Sequence, residues 1–160
     1  MRQHGEITVS ERGKKIISVN KRARYDYEIS ETVEAGLVLQ GTEVKSLRQG
    51  KVSLQDAYAD IQNGEAFLLH THIDQYEQGN RNNHNPERPR KLLLHKQEIR
   101  RLTGKTKERG LTLIPTRLYF AGGHVKVELG LAKGKKLYDK RESLKRRSAQ
   151  RDIERAIRGE

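Results

Sequence analysis

The chain has no cysteine, no tryptophan, 3 prolines, 1 methionine and 2 phenylalanines in 160 residues. Without thiols it can build no disulfide framework, zinc–thiolate site, iron–sulfur cluster or cysteine nucleophile. Long apolar runs are also missing. Met1 to Lys15 mixes polar and charged residues, without the ~7 to 15 apolar positions of a signal peptide, and no segment nears the ~20 of a membrane span. We therefore expect a soluble cytoplasmic protein with no membrane partner. Negative charge is the other shortage, since 33 Lys and Arg stand against 21 Asp and Glu, a formal +12. Such a surplus draws polyanions, nucleic acid first among them. Leu, Ile, Val and Phe supply 37 of the 160 residues, just above the ~20% below which a charged chain stays disordered. The length and this modest apolar content predict one small domain with a tail.

Strand patterns dominate what is present. From His124 to Lys133, Val125, Val127, Leu129 and Leu131 alternate with polar residues or glycine, the period of two that turns one face to a core. Asn63-Gly64 tolerates the two positive φ angles of a type I′ turn and predicts a hairpin between Ala57–Gln62 and Glu65–Ile73. Gly122-Gly123 predicts a second, joining Leu111–Phe120 to the alternating strand, with Pro115 implying an edge or a bulge. Glu28 to Leu39 supplies further extended chain around Gly36. Two helices are expected: a short one capped by Thr42 and ended at Gly50, with Val44 and Leu47 on one face, and a longer one from about Leu93 to Lys107, with Ile99 and Leu102 inward. Glu77 to Arg90, without aliphatic or aromatic residues, predicts an exposed loop. These elements predict a mainly β chain, a small closed antiparallel barrel of the kind that includes the oligonucleotide-binding fold, with two or three helices. Lys133 to Glu160 holds 11 basic against 5 acidic residues and too few apolar side chains to dock. It is expected to be a tail, disordered when free, whose stripe of Arg147, Arg151 and Arg155 repels itself unless phosphates neutralise it.

Catalytic patterns are poorly met. Gly130 to Lys136 misses the phosphate-loop pattern in both glycine spacing and the residue after lysine. His70 and His72, expected to share a strand face and to be completed by His84 or His95, suggest a metal-dependent nuclease only weakly, because no dense ligand cluster accompanies them. No nucleophile elbow occurs. We therefore expect no enzyme, no cofactor, no metal and no small-molecule substrate. Asn20-Lys21-Arg22-Ala23-Arg24-Tyr25-Asp26-Tyr27 interleaves cations with aromatic rings, a composition for phosphates and exposed bases, though it also suits a solvated lead-in to a strand. A general RNA-binding translation-factor module on the same barrel would account for this much.

A more specific resemblance is carried by six blocks in order: Asn20 to Arg24, Glu34-Ala-Gly-Leu-Val-Leu-Gln-Gly41, Glu43 to Arg48, Gly64 to Phe67, Arg90 to Leu94, and Gly130 to Lys136 followed by Asp139-Lys-Arg-Glu142. Together they resemble the SsrA-binding protein (SmpB) family, which binds transfer-messenger RNA in bacterial trans-translation. The resemblance implies a six-stranded barrel over 20–132 between an N-terminal extension, 1–19, and a basic tail, 133–160, that becomes helical on the ribosome. It implies a non-enzymatic adaptor that carries the tRNA-like part of transfer-messenger RNA to stalled ribosomes, standing in for the anticodon arm. Its implied partners are that RNA, the small-subunit decoding centre and message channel, and, through the RNA, elongation factor Tu. Asn20, Lys21, Arg22, Arg24, Tyr25, Glu34, Gly36, Leu93 and His95 are the implied RNA-binding residues. Lys133, Lys135, Lys136, Tyr138, Asp139, Lys140 and Arg141, with Arg147, Arg151 and Arg155, are the implied ribosome-facing set. Glu34 cannot attract phosphate and must accept from base or ribose donors or orient a neighbouring cation.

Overall fold

The computed structural model describes residues 13–135 and Arg151, with the side chains of Asn80 and Arg81 outside that description. In chain order the elements are β1 (Lys14–Val19), α1 (Ala23–Asp26), β2 (Tyr27–Leu37), α2 (Gly41–Arg48), β3 (Val52–Ser53), β4 (Tyr58–Gln62), β5 (Glu65–Leu69) and β6 (His72–Ile73). After a 3-10 helix (Glu77–Asn82) come β7 (Arg90–Leu93), α3 (Lys96–Arg109), β8 (Thr112–Ala121) and β9 (His124–Gly134). Six strands close a ring in the order β8, β4, β5, β7, β2, β9 and back to β8, every pair antiparallel. One edge of β8 is shared: Leu113 faces Ala59 of β4, and Arg117 to Ala121 face β1. β3 and β6 form a separate two-stranded ribbon.

The hairpins form where the turn chemistry places them. Asn63 and Gly64 take φ +53 and +78, and Gly122 and Gly123 take +58 and +78, the positive pairs a tight right-twisted hairpin requires. Pro115 is accommodated by an irregularity between Pro115 and Arg117 in the β8–β9 ladder, which removes the need for its missing N–H. Inside the ring, Leu68, Leu118, Val127 and Leu129 are fully buried, and Leu47 of α2 and Leu102 of α3 join the same core at 1% exposure. Glu31 of β2 clasps α3 by accepting from Arg101 Nη1 at 2.8 Å and from the Lys105 ammonium.

Several expectations are corrected. Gln40, not Thr42, caps α2: its N–H donates to Glu43 Oε1 at 2.7 Å. Gly50 does take the left-handed conformation, φ +70, beyond that helix. Leu93 lies in β7, and α3 starts only after His95, whose N–H donates to Glu98 Oε1 at 3.3 Å. Residues 14–19, expected within the N-terminal extension, pair as a strand along β8. The segment from Glu77 to Arg90 contains the 3-10 helix and is anchored from within, because Arg90 is 0% and His84 2% exposed. Glu43, itself fully buried, accepts from Arg90 Nε at 2.7 Å and from Arg88 at 2.5 and 3.1 Å. Burial pushes the Glu43 carboxyl up, but the bonds from Arg88, the Gln40 amide and Arg90 outweigh it, and its pKa lies below the ordinary 4.5.

Candidate nucleic-acid interface

The basic segment before β2 is held from below. Asn20 is 9% exposed, its N–H donates to Thr116 O at 2.7 Å, and its side-chain amide donates to Pro115 O at 2.9 Å and Leu54 O at 3.3 Å. Ala23 closes the turn by donating to Asn20 O at 3.2 Å and is 2% exposed. With Asn20 and Ala23 turned inward, Lys21, Arg22 and Arg24 are left on the surface. Arg22 Nε lies 3.3 Å from Asp26 Oδ2, and its guanidinium sits 5.5 Å from the centroid of the half-buried Tyr25 ring. Of the implied RNA contacts in this block, Asn20 is thus the anchor of the segment, and the three cations are what it presents.

The far end of β9 arrives at the same place. Tyr27 faces Gly134 and Glu28 faces Lys133 across the β2–β9 ladder. Lys135 then donates its N–H to Asp26 O at 2.9 Å and its ammonium to Arg24 O at 2.7 Å. Residues more than a hundred positions apart therefore form one basic end of the ring, and the C-terminal segment departs from it. Lys136, Tyr138, Asp139, Lys140, Arg141, Arg147 and Arg155 lie outside the described residues; Arg151 is helical and exposed.

Glu34, Gly36, Leu93 and His95 gather elsewhere, around an open depression of about 570 Å³ that Lys91, Lys96 and Lys126 also line. β2 joins the two places, and from Tyr27 to Glu34 it covers about 23 Å at ~3.3 Å per residue. The structure thus places the expected RNA-binding residues at two separate sites. Gly36 is opposite Leu93 in the β2–β7 ladder, and a Cβ added at Gly36 would stand 3.2 Å from Leu93 Cβ. The missing side chain lets Leu93 lie across β2 while remaining 54% exposed, a large apolar group offered to solvent. Glu34 Oε2 accepts from the Tyr119 hydroxyl. Tyr119 is 1% exposed, and burial, then the bond to Glu34, drive its pKa far up, so it remains a neutral donor. Lys14 and Arg117 approach its ring at 4.7 and 5.5 Å, and Arg117 Nε donates to Glu128 Oε2 at 2.7 Å. The Glu34 carboxylate is therefore fixed by one oxygen and exposed, fit to accept from a ribose hydroxyl or a base amino group. Tyr119 and Arg117 were not singled out from the sequence; their i, i+2 spacing on β8, one face of a strand, is the signal that could have found them.

The histidines do not converge. His70, at φ +59, ends β5 before β6 begins at His72, so the two share no strand face. His70 stacks on Tyr58, and His72 lies between Asp74 at 3.1 Å and Glu87 at 3.3 Å. His84 uses both ring nitrogens: Nε2–H donates to Ile73 O at 2.9 Å, so Nδ1 accepts from the Thr42 hydroxyl at 2.9 Å. Among the described residues no group of three or more His, Asp or Glu is placed to hold a metal ion, and no helix is long and apolar enough to cross a membrane.

Comparison with known proteins adds a lineage to this geometry. The family model described as SmpB protein matches residues 17–159. The SsrA-binding protein of Carboxydothermus hydrogenoformans is 61% identical over 144 residues, 90% of this chain and 97% of that protein. The SsrA-binding protein of Desulforudis audaxviator is 63% identical over 145 residues, 91% of this chain and 95% of that one. A solved structure reported as "tmRNA-SmpB: a journey to the center of the bacterial ribosome" superposes with a TM-score of 0.65 at 52% identity, covering 79% of this chain and 93% of its own.

Proposed function

The chain belongs to the SmpB family, and from that membership we propose that it is the transfer-messenger RNA-binding adaptor of ribosome rescue, acting in the cytoplasm by binding alone. It holds the tRNA-like domain of transfer-messenger RNA and delivers it to ribosomes stalled on truncated messages. The observation that carries this reading is the division of the ring into two ends. At one, Glu34, Leu93, His95 and three lysines surround an open depression, with the mixture of hydrogen-bond acceptor, apolar platform and cation that a folded RNA loop requires. At the other, Lys21, Arg22, Arg24, Lys133 and Lys135 form the basic end from which the tail departs. A body with two such ends can hold one RNA and present itself to another. The tail, with Lys136, Tyr138, Asp139, Lys140, Arg141 and the arginines at 147, 151 and 155, enters the decoding centre and message channel, and elongation factor Tu is reached through the RNA. No bond is made or broken, so no cofactor is required.

The test is a competition titration at physiological salt, with labelled transfer-messenger RNA challenged by excess ordinary tRNA and by an unrelated RNA duplex. Preference for the first by orders of magnitude is expected. Equal competition by all three would reduce the protein to a general basic RNA-binding module.

A further inference from the structure

A cleft between α1 and the start of β4 adjoins the basic end, sharing Asn20 and Arg22 with it, and the adaptor reading gives its other residues no task. Its floor is apolar, with Ala23, Ala57 and Ile114 each at most 4% exposed. Tyr27, Tyr58, Gln55 and Asp56 line its sides, and its volume is about 290 Å³, roomy for one base. Tyr58, 37% exposed, carries the His70 imidazole stacked on it, with ring centroids 5.5 Å apart and planes 20° from parallel.

The backbone at His70 is in the left-handed region, φ +59, which is unfavourable for a residue with a side chain. The chain turns there from β5 toward β6, a turn that glycine would make without strain. A histidine stands there instead, with its ring stacked on one face of Tyr58. Exposed flat rings beside an apolar floor with a polar rim are what proteins use to hold a base that has left its stack. Within the cleft Arg22 is paired with Asp26 at 3.3 Å, and Asp56 also lines the wall, so positive charge for a flanking phosphate comes from outside it: Thr112, in the wall, faces Ala132, the neighbour of the exposed Lys133.

We propose that this cleft, with Tyr58 in its wall and His70 stacked on that ring, holds one unpaired nucleobase of a bound RNA. Tyr58 supplies the stacking face, Gln55 and Asp56 meet the hydrogen-bonding edge of the base, and a flanking phosphate lies on Lys133. The site rests on the RNA-binding reading above and adds base contact to a body otherwise described by shape and charge. The base belongs either to the tRNA-like RNA or to the small ribosomal subunit.

The experiment uses the full chain and a short oligouridine carrying one 2-aminopurine, whose fluorescence is quenched on stacking. The wild type should quench it. His70→Gly and Tyr58→Leu should each abolish the quench and weaken binding of the probe about tenfold. Because glycine relieves the positive φ, His70→Gly should melt no lower than the wild type, so its loss cannot be laid to unfolding. The same variants are titrated against the tRNA-like domain and against small ribosomal subunits, and about a tenfold loss on one of them identifies the source of the base. A quench that survives both substitutions, or unchanged affinity for both large RNAs, overturns the proposal. A wild type that quenches the probe but does not hold the tRNA-like domain would overturn the adaptor reading and leave the cleft standing.

Discussion

At the scale of single residues, Gly36 decides what Leu93 can do. A Cβ at Gly36 would meet Leu93 Cβ at 3.2 Å and Cδ1 at 3.3 Å, close enough to displace a half-exposed leucine but not to break the strand. Gly36→Ala should therefore cost about 1–3 kcal/mol, since Leu93 Cβ can give way only together with the backbone of β7, while lowering affinity for the tRNA-like RNA several-fold. Thermal melting and an RNA titration on the same sample check both halves; unchanged affinity would take Leu93 out of the interface. Glu43 is the opposite kind of residue, a buried carboxylate on which two arginines converge. Glu43→Gln leaves Arg90 buried without its counter-charge and should cost about 3–5 kcal/mol, read by denaturant unfolding. Its folded pKa is depressed below 4.5, so the unfolded chain binds the proton more readily. The stability Glu43 contributes is full above that value and is lost as pH falls through the folded pKa. A stability profile that stays flat through that acid range would deny the carboxylate this part.

Which residues were legible follows from the range of the forces on them. The Asn63-Gly64 turn depends on its own backbone angles and was readable from two letters. Arg90 is buried because Glu43, 47 positions away, satisfies it, and no local pattern carries that pairing; its stretch was therefore expected to be exposed loop. A period of two sets His70 and His72 on one face, but it fails where a left-handed residue interrupts the strand.

Elements show the same division. The two hairpins, the β8 irregularity at Pro115 and the alternating β9 were readable because periodicity and turn residues are local. The start of α3 was not, because Arg90 to Leu94 suits either element and is drawn into strand by pairing with β5 and β2. β1 is not legible for a related reason: Lys14–Val19 shows no strict alternation, and the edge it pairs with lies on β8, about a hundred positions further along the chain. The segment between β1 and β2 permits a test that separates shape from charge. Asn20→Ala removes the amide that Pro115 O and Leu54 O accept from, and should cost about 1–3 kcal/mol while leaving the charge of the segment intact. RNA affinity should fall with an unchanged salt slope. Lys21→Ala should do the reverse, leaving stability alone and flattening the slope by up to ~0.9 for the phosphate no longer neutralised. Affinity measured at several salt concentrations, beside melting curves, checks the pair; a salt slope altered by Asn20→Ala and not by Lys21→Ala would reverse the assignment.

For the whole molecule, the long β2–β9 ladder matters most, because it sets the depression around Glu34 about 23 Å from the basic end where β9 finishes. The sequence blocks that resemble the family fall on both ends, and nothing in their order showed that they would separate; only the register of Tyr27 with Gly134 and of Glu34 with Glu128 does. Two ends imply two separable activities. Removing everything after residue 135 keeps every strand of the ring, including the Lys135 contacts to Asp26 and Arg24. Such a truncation should bind free tRNA-like RNA within about twofold of the full chain, because the depression around Glu34 and Leu93 is untouched, yet it should fail to support tagging on stalled ribosomes. Titration of the isolated RNA and a reconstituted tagging reaction check the two halves. A collapse of free-RNA affinity on truncation would mean that the tail grips the RNA itself, and that the two ends of the ring act on one partner rather than bridging two.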